Sequence, residues 1–232
     1  MSKELRYELL TDDRLNEAAS VAAAAFEESP GYCFIVGQGK SSVERVAFLT
    51  WLFERNFWIR LNTDCCRCVY EGDELVAFFM FVKPKVPHPS LWDMLTAGLI
   101  GGLFTYGLSL VQRLLATKNW FEAREKIIFG ERETIRLERV VVLPSCQGRG
   151  VGTRMLRVAL EEADRLNLPV VLATQEERNV TFYKRLGFKV MDLSACEHGG
   201  YKNWTMMREP SGGEERGSGA DGTGDDEQSG RV

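Results

Sequence analysis

An excess of positive charge is missing from this 232-residue chain: 29 lysines and arginines face 33 aspartates and glutamates, for a formal net charge of -4. That balance exerts no general attraction on polyanions, so neither nucleic acid nor an anionic membrane surface is an expected partner. Histidine is nearly absent. His88 sits between prolines and His198 beside Glu197 and Gly199, neither with a cysteine or acid at nucleophile or metal spacing, so no metal is expected. Nothing suggests secretion: Met1 to Glu8 hold neither a long apolar run nor a small-residue cleavage site. A cytoplasmic chain with reduced thiols is the expectation. The even count of six cysteines is then no disulfide framework, and Cys65, Cys66 and Cys68 have no second ligand pair at zinc-finger spacing. Only Met94 to Gln112 is long and uncharged, close to the roughly 20 residues of a spanning helix. Gly98, Gly101, Gly102 and Gly107 dilute it, and no aromatic or basic girdle brackets it. A buried helical pair over a substrate pocket is expected there rather than a membrane span.

Hydrophobic residues, at 44%, suffice for one sizeable core. One domain over residues 1–210 is expected. The Gly, Ser and acid-rich stretch 211–232 has no aliphatic side chain larger than Ala220 before Val232, and so reads as a disordered tail. Leu5 to Leu10 reads as a strand, and a helix follows through Ala18, Val21, Ala22, Ala25 and Phe26. Ser29, Pro30, Gly31, Gly37 and Gly39 break the pattern into a loop. Ser41 or Ser42 then caps a second helix reaching about Trp58. Strands at about Arg67 to Tyr70 and Glu74 to Val82 flank the hairpin signal Glu71, Gly72 and Asp73. Glu122 to Arg132 reads as a solvated helix and loop, and Leu137 to Leu143 as a central strand. Met155, Leu156, Ala159, Leu160, Ala163 and Leu166 recur at helical spacing. A buried strand then leads to about Ala173, and a short helix to Leu186 is stopped by Gly187. Val190 to Leu193 and Trp204 to Met207 close the sheet.

Chemistry concentrates at Gln147, Gly148, Arg149, Gly150, Val151 and Gly152, between a buried strand and a strongly amphipathic helix. A helix start leaves backbone N–H groups unpaired and carries partial positive charge, and glycines let a pyrophosphate approach them. No Lys-Ser or Lys-Thr pair ends the turn, as a P-loop would require, and the glycine spacing differs from a dinucleotide fingerprint.

The run Val-x-Pro-x-x-Gln-Gly-x-Gly-x-Gly, Val142 to Gly152, resembles motif A of the GNAT acetyltransferases. Asn179, Phe182, Tyr183, Gly187 and Phe188 resemble the family's downstream Asn-x-x-Phe-Tyr-x-x-x-Gly-Phe signature, most closely in the branch that includes puromycin N-acetyltransferase. The likeness is weak between Pro84 and Glu133, where substrate is usually selected. The resemblance implies the α/β (α+β) GNAT acyl-CoA N-acyltransferase fold: a central mixed, mainly antiparallel sheet flanked by helices. It is split between the strand ending at Leu143 and the one ending near Ala173. Acetyl-CoA would lie in the split as acyl-donor cosubstrate, held by the backbone of Val140, Val141 and Val142 and the amides of Gln147 to Gly152. Arg149 either adds a contact to phosphate or stands as a solvated arginine. Asn179 either bonds the cofactor arm or simply caps its helix.

Tyr183, four residues after Asn179, shares its side of the helix and by resemblance is the general acid for the departing thiolate. Relatives of the puromycin type carry a glutamate where this chain has Ala173, which leaves the base open. Glu138 is the candidate base, on the strand lining the split and on the same face as Val140 and Val142. Glu27, Glu28 and Tyr32 fall in the loop that caps acceptor sites. The implied function is acetyl transfer from acetyl-CoA to a primary amine, of a small molecule first and of a protein or peptide as the alternative. A non-catalytic acyl-CoA-binding protein is the rival outside enzymes.

Overall fold

From Leu75 to Val82 every side chain is buried, and a strand buried on both faces needs a layer of structure on each. The computed structural model, which describes residues 4–86, 90–98 and 101–212, supplies both layers. Strands β1 (Leu5–Leu9), β2 (Cys66–Glu71), β3 (Glu74–Val82), β4 (Ile135–Val142), β5 (Val170–Thr174), β6 (Lys189–Ala195) and β7 (Lys202–Arg208) form one sheet in the order β1-β2-β3-β4-β5-β7-β6. All pairings are antiparallel except β4 with β5. This is the mixed, mainly antiparallel sheet that the resemblance implies.

Helices α1 (Leu15–Phe26), α2 (Pro30–Val36) and α3 (Ser42–Trp58) cover one face. Ala18, Ala19, Ala22 and Ala23 are fully buried, so the small side chains of α1 let it lie close to α3 and β4. Ser41 starts α3 with a capping box: its hydroxyl accepts from the Glu44 N–H while the Glu44 carboxylate accepts from the Ser41 N–H. On the other face lie α7 (Val151–Leu166) and α8 (Glu177–Lys184). Val151, Met155, Leu156, Ala159, Leu160 and Ala163 form the buried stripe of α7, each large side chain stabilising the fold by about 1.5–3 kcal/mol. Gly187, at φ +89, stops the chain after α8 as its place in the sequence requires.

Two expectations are corrected. The supposed loop after Ser29 holds α2, because Pro30 occupies the first helical turn, where its missing N–H costs nothing. The segment between Met94 and Gln112 is not a buried pair. It comprises α4 (Leu91–Thr96), α5 (Gly102–Tyr106) and the start of α6 (Leu108–Phe129), separated at Gly98 and Gly107, both at positive φ. Phe104 is 90% exposed and Leu108 63%, while Leu110 is buried and Tyr106 packs on Phe48 and Trp51, so the segment lies at the surface with one side against α3. The charged stretch from Glu122 to Arg132 is the expected helix and loop, as the end of α6 to Phe129 and the turn that follows it. Arg113 fixes α6 against α2 by donating to the carbonyls of Ile35 and Val36 at 2.9 and 3.0 Å. Among the described residues no helix is long and apolar enough to cross a membrane. His88 and residues 213–232 of the tail lie outside those described.

Leu156 is fully buried beneath α7, so Leu156→Ala is expected to lower unfolding free energy by about 2–5 kcal/mol. The exposed Val158→Ala one turn position away should change it by less than about 0.5 kcal/mol. Urea denaturation of both variants checks the orientation of the helix.

Candidate active site

β4 and β5 pair over only two residues, Ile135 with Val170 and Arg136 with Val171. Beyond them β4 keeps its antiparallel bonds to β3 and β5 keeps its own to β7. The edges they turn toward each other therefore part, leaving main-chain donors and acceptors of β4 without a strand partner. At the top of the parting the chain leaves β4 through a short 3-10 turn at Pro144–Cys146 and enters α7 over Gly148 and Gly150, both left-handed at φ +74 and +75. No side chain caps α7, and its first intrahelical bond is from the Arg154 N–H to the Gly150 carbonyl. The N–H groups of Val151, Gly152 and Thr153 have no carbonyl earlier in the helix to bond. A Cβ on Gly152 would stand 3.3 Å from Val142 Cγ2 and 3.5 Å from Phe182, so glycine is what lets this turn settle onto β4 and α8.

Val140, Val142, Phe182 and the buried Tyr183 belong to the apolar cluster under α7 and α8. Tyr183 packs edge-on against Phe182 and Phe188, with centroids 5.2 and 5.6 Å away, and burial pushes its phenol well above the ordinary value. Asn179 does not cap α8. Glu176 occupies the cap position, and the Asn179 amide donates instead to Thr174 Oγ1 at 3.2 Å, joining α8 to the end of β5. Gln147 donates to the Val142 carbonyl at 3.1 Å. Val140, Val142, Gln147 to Gly152, Asn179 and Tyr183 thus gather around one end of the parting. Val141 points the other way, into the core beneath α1 and α3.

Arg149 stays exposed on the turn, but it is paired. It grips the carboxylate of Glu71, at the buried end of β2, with distances of 2.9 and 2.7 Å. Sequence reading missed this partner because 78 residues separate the pair.

Glu138 needs a correction. The chain bulges between Glu138 and Val141 opposite Phe78 to Met80, with Arg139 at φ +49, so side-chain alternation shifts by one residue. Ile135 and Leu137 face α7, and after the bulge Val140 and Val142 do so. Glu138 therefore faces away from those valines, toward α1 to α3, and Arg139 turns to the same side over the Phe53 ring. Arg136 Nε and Arg139 Nη1 reach the two Glu138 oxygens at 3.2 and 2.7 Å. Burial raises the Glu138 carboxyl, but Arg139 and then Arg136 outweigh it, and the net shift is downward. Glu27 and Glu28, expected on a free loop, both pair with Arg45. Tyr32 lies on α2, ringed by Phe26 and Phe53 at 5.6 and 5.3 Å. His198 is an exposed turn residue. Burial pushes the Cys66 and Cys68 thiols up to about 12, which keeps both protonated.

A family model described as an acetyltransferase (GNAT) domain matches residues 117–190. An uncharacterised N-acetyltransferase of Methanocaldococcus jannaschii is 32% identical over 92 residues, covering 38% of this chain and 35% of that protein. The chain thus matches about a third of that relative's length. Among solved structures, one described as histone acetyltransferase HPA2 and related acetyltransferase from Corynebacterium glutamicum superposes with a TM-score of 0.61. It covers 89% of this chain and 97% of its own at 17% identity. An agmatine N-acetyltransferase superposes with a TM-score of 0.54 at 12% identity, over 88% of this chain and 99% of its own.

A Cβ at Gly150 would meet no atom within 4 Å, so Gly150→Ala isolates the cost of its left-handed backbone. That cost should be about 1–2 kcal/mol, read as a lower denaturant midpoint with unchanged slope. A neutral effect would mean the turn is not held as described.

Proposed function

We propose that the chain, whose residues 117–190 match a GNAT acetyltransferase domain model, transfers the acetyl group of acetyl-CoA to the amine of a small molecule, in a domain spanning residues 1–210. The parting of β4 from β5 beside the glycine turn carries this reading. Its fit to the cosubstrate rests on the two kinds of donor at the parting. The unpaired N–H groups that open α7 suit a pyrophosphate, and the unpaired edge of β4 at Val140 to Val142 suits the amides of a pantetheine arm. The carbonyl of Asn179 is a further acceptor for that arm, since its nitrogen is already committed to Thr174. When bound, acetyl-CoA supplies a thioester carbonyl activated toward an amine nucleophile.

In this reading a β4 N–H near Val142 stabilises the oxyanion that forms as the amine attacks. Tyr183 holds its proton across the working pH range and donates it as the carbon–sulfur bond breaks. Its raised pKa is no obstacle, because a thiolate leaving into the same apolar cluster is raised by the same desolvation. Glu138 is ionised at neutral pH, and its place in the mechanism is to receive the amine's proton directly or through water. Being lowered by two arginines makes it a weak base, so the amine enters already neutral in part. The name of agmatine N-acetyltransferase, which shares the fold, states an amine acceptor of the proposed kind.

The test is release of CoA from acetyl-CoA with a panel of amines. Tyr183→Phe should lower kcat about 10²- to 10⁴-fold while leaving acetyl-CoA affinity within a few-fold. Since Tyr183 is shifted upward, its acid form persists below pH 10, and kcat/KM should rise with pH as the amine deprotonates without falling again before about pH 10. A Tyr183→Phe enzyme of full rate at every pH removes the assigned acid. Loss of under about threefold in Glu138→Gln would remove Glu138 from the proton path.

A further inference from the structure

β4 is the fourth of seven strands and is covered by helices, yet three of its side chains on the α1 to α3 face remain open to solvent. Arg136 keeps 24%, Glu138 35% and Arg139 22% of side-chain surface. Ala173 on β5 is exposed as well, between the buried Leu172 and Thr174. Val170 and Leu172 face α7, so Ala173 turns to the same side as the three charged residues. Exposure in the middle of a covered sheet means that the helix layer stands off and leaves a recess. The recess lies against the bulge, on the face opposite the valines of the proposed cofactor cleft.

Its walls are charged unevenly. Arg60, Arg136 and Arg139 share one field with Glu138, while Glu125 on α6 is the other acid close to Arg136 and Glu138. Burial pushes the Glu125 carboxyl up, and three arginines still face these two acids. Arg139 spends Nη1 on Glu138 and Met80, its guanidinium also meets the Tyr32 hydroxyl, and its buried Nε meets no acceptor among the described residues. Alanine at position 173 adds no compensating carboxylate. The half-buried Phe26 and Tyr32 pack on the fully buried Phe53 beside Arg139, giving the recess an aromatic side.

We propose that the acceptor is an amine that also carries a carboxylate, of the apolar amino-acid class, and that Arg139 holds that carboxylate and so determines specificity. A guanidinium with an unspent donor, in a partly desolvated recess, suits a carboxylate geometrically as well as by charge. The aromatic side suits an apolar side chain. The surplus of positive charge also lowers the pKa of an amine brought to it, which offsets the weakness of Glu138 as a base. This inference rests on the acetyl-transfer reading for its chemistry but not for its binding test.

Matched pairs decide it: L-phenylalanine against phenethylamine, and L-leucine against isoamylamine, each with acetyl-CoA. The carboxylated member should have a kcat/KM about 10- to 100-fold higher, mostly through KM. Arg139→Gln should bring the ratio toward one, and Arg139→Lys should restore part of it. A wild-type ratio of one or below overturns the proposal, and so does a folded Arg139→Gln variant that keeps the ratio. Calorimetry with the products in the presence of CoA separates the two readings. N-acetyl-L-phenylalanine should bind wild-type protein at least about tenfold more tightly than N-acetylphenethylamine. Neither product has a basic amine, so differences in basicity drop out. Equal affinity, or binding of neither, overturns the carboxylate assignment whatever the turnover. Failure to bind acetyl-CoA overturns only the acetyl-transfer reading.

Discussion

Two strands that begin side by side and then separate impose the rest of this architecture. β4 and β5 share register at Ile135 and Arg136 only, after which each is satisfied on its outer edge by an antiparallel neighbour and unsatisfied on the inner one. Main-chain groups left this way cost stability unless water or a ligand meets them. The protein tolerates the opening because its two halves are closed elsewhere. α7 bridges the parting with its buried stripe, Asp164 receives both Arg208 nitrogens at 2.7 and 2.8 Å, and Arg67 with Lys83 holds Glu162. Helix and turn are thus pinned to strands on either side of the gap, and the unpaired donors at Val151 to Thr153 have a fixed place.

The bulge at Arg139 divides the chemistry. One extra residue puts Glu138 and Arg139 on the α1 to α3 side and returns Val140 and Val142 to the α7 side. Apolar side chains and the buried Tyr183 thereby line one mouth of the split, charges and the aromatic trio the other. A thioester and an amine arriving from opposite faces would meet at the bulge, where the β4 backbone turns. α6, tied to α2 through Arg113, covers the charged side and brings Glu125 near Arg136.

Much of the scaffold is written locally. The end of α3 at Trp58, the limits of β3 and the stop at Gly187 follow from periodicity and from residues that permit only certain dihedrals. The place of the candidate site is legible too, because a glycine-rich turn between a buried strand and an amphipathic helix is a local pattern. What escaped was set at a distance. Nothing beside Arg139 announces a bulge, since it is not glycine and adopts φ +49 only because β3 and the Glu138 contact hold it there. Arg149 finds Glu71 across the fold, and Asn179 chooses Thr174 over a helix cap because the end of β5 is within reach. The surface course of α4 and α5 was hidden because an apolar, glycine-spaced segment reads alike whether buried or exposed.

Amide hydrogen exchange with and without acetyl-CoA tests the central claim most directly. Slowed exchange confined to the amides from Gln147 to Arg154 and to the inner edge of β4 through Val142 is the predicted pattern. Unchanged exchange there, or protection centred on the outer strands β1 and β6, would contradict it.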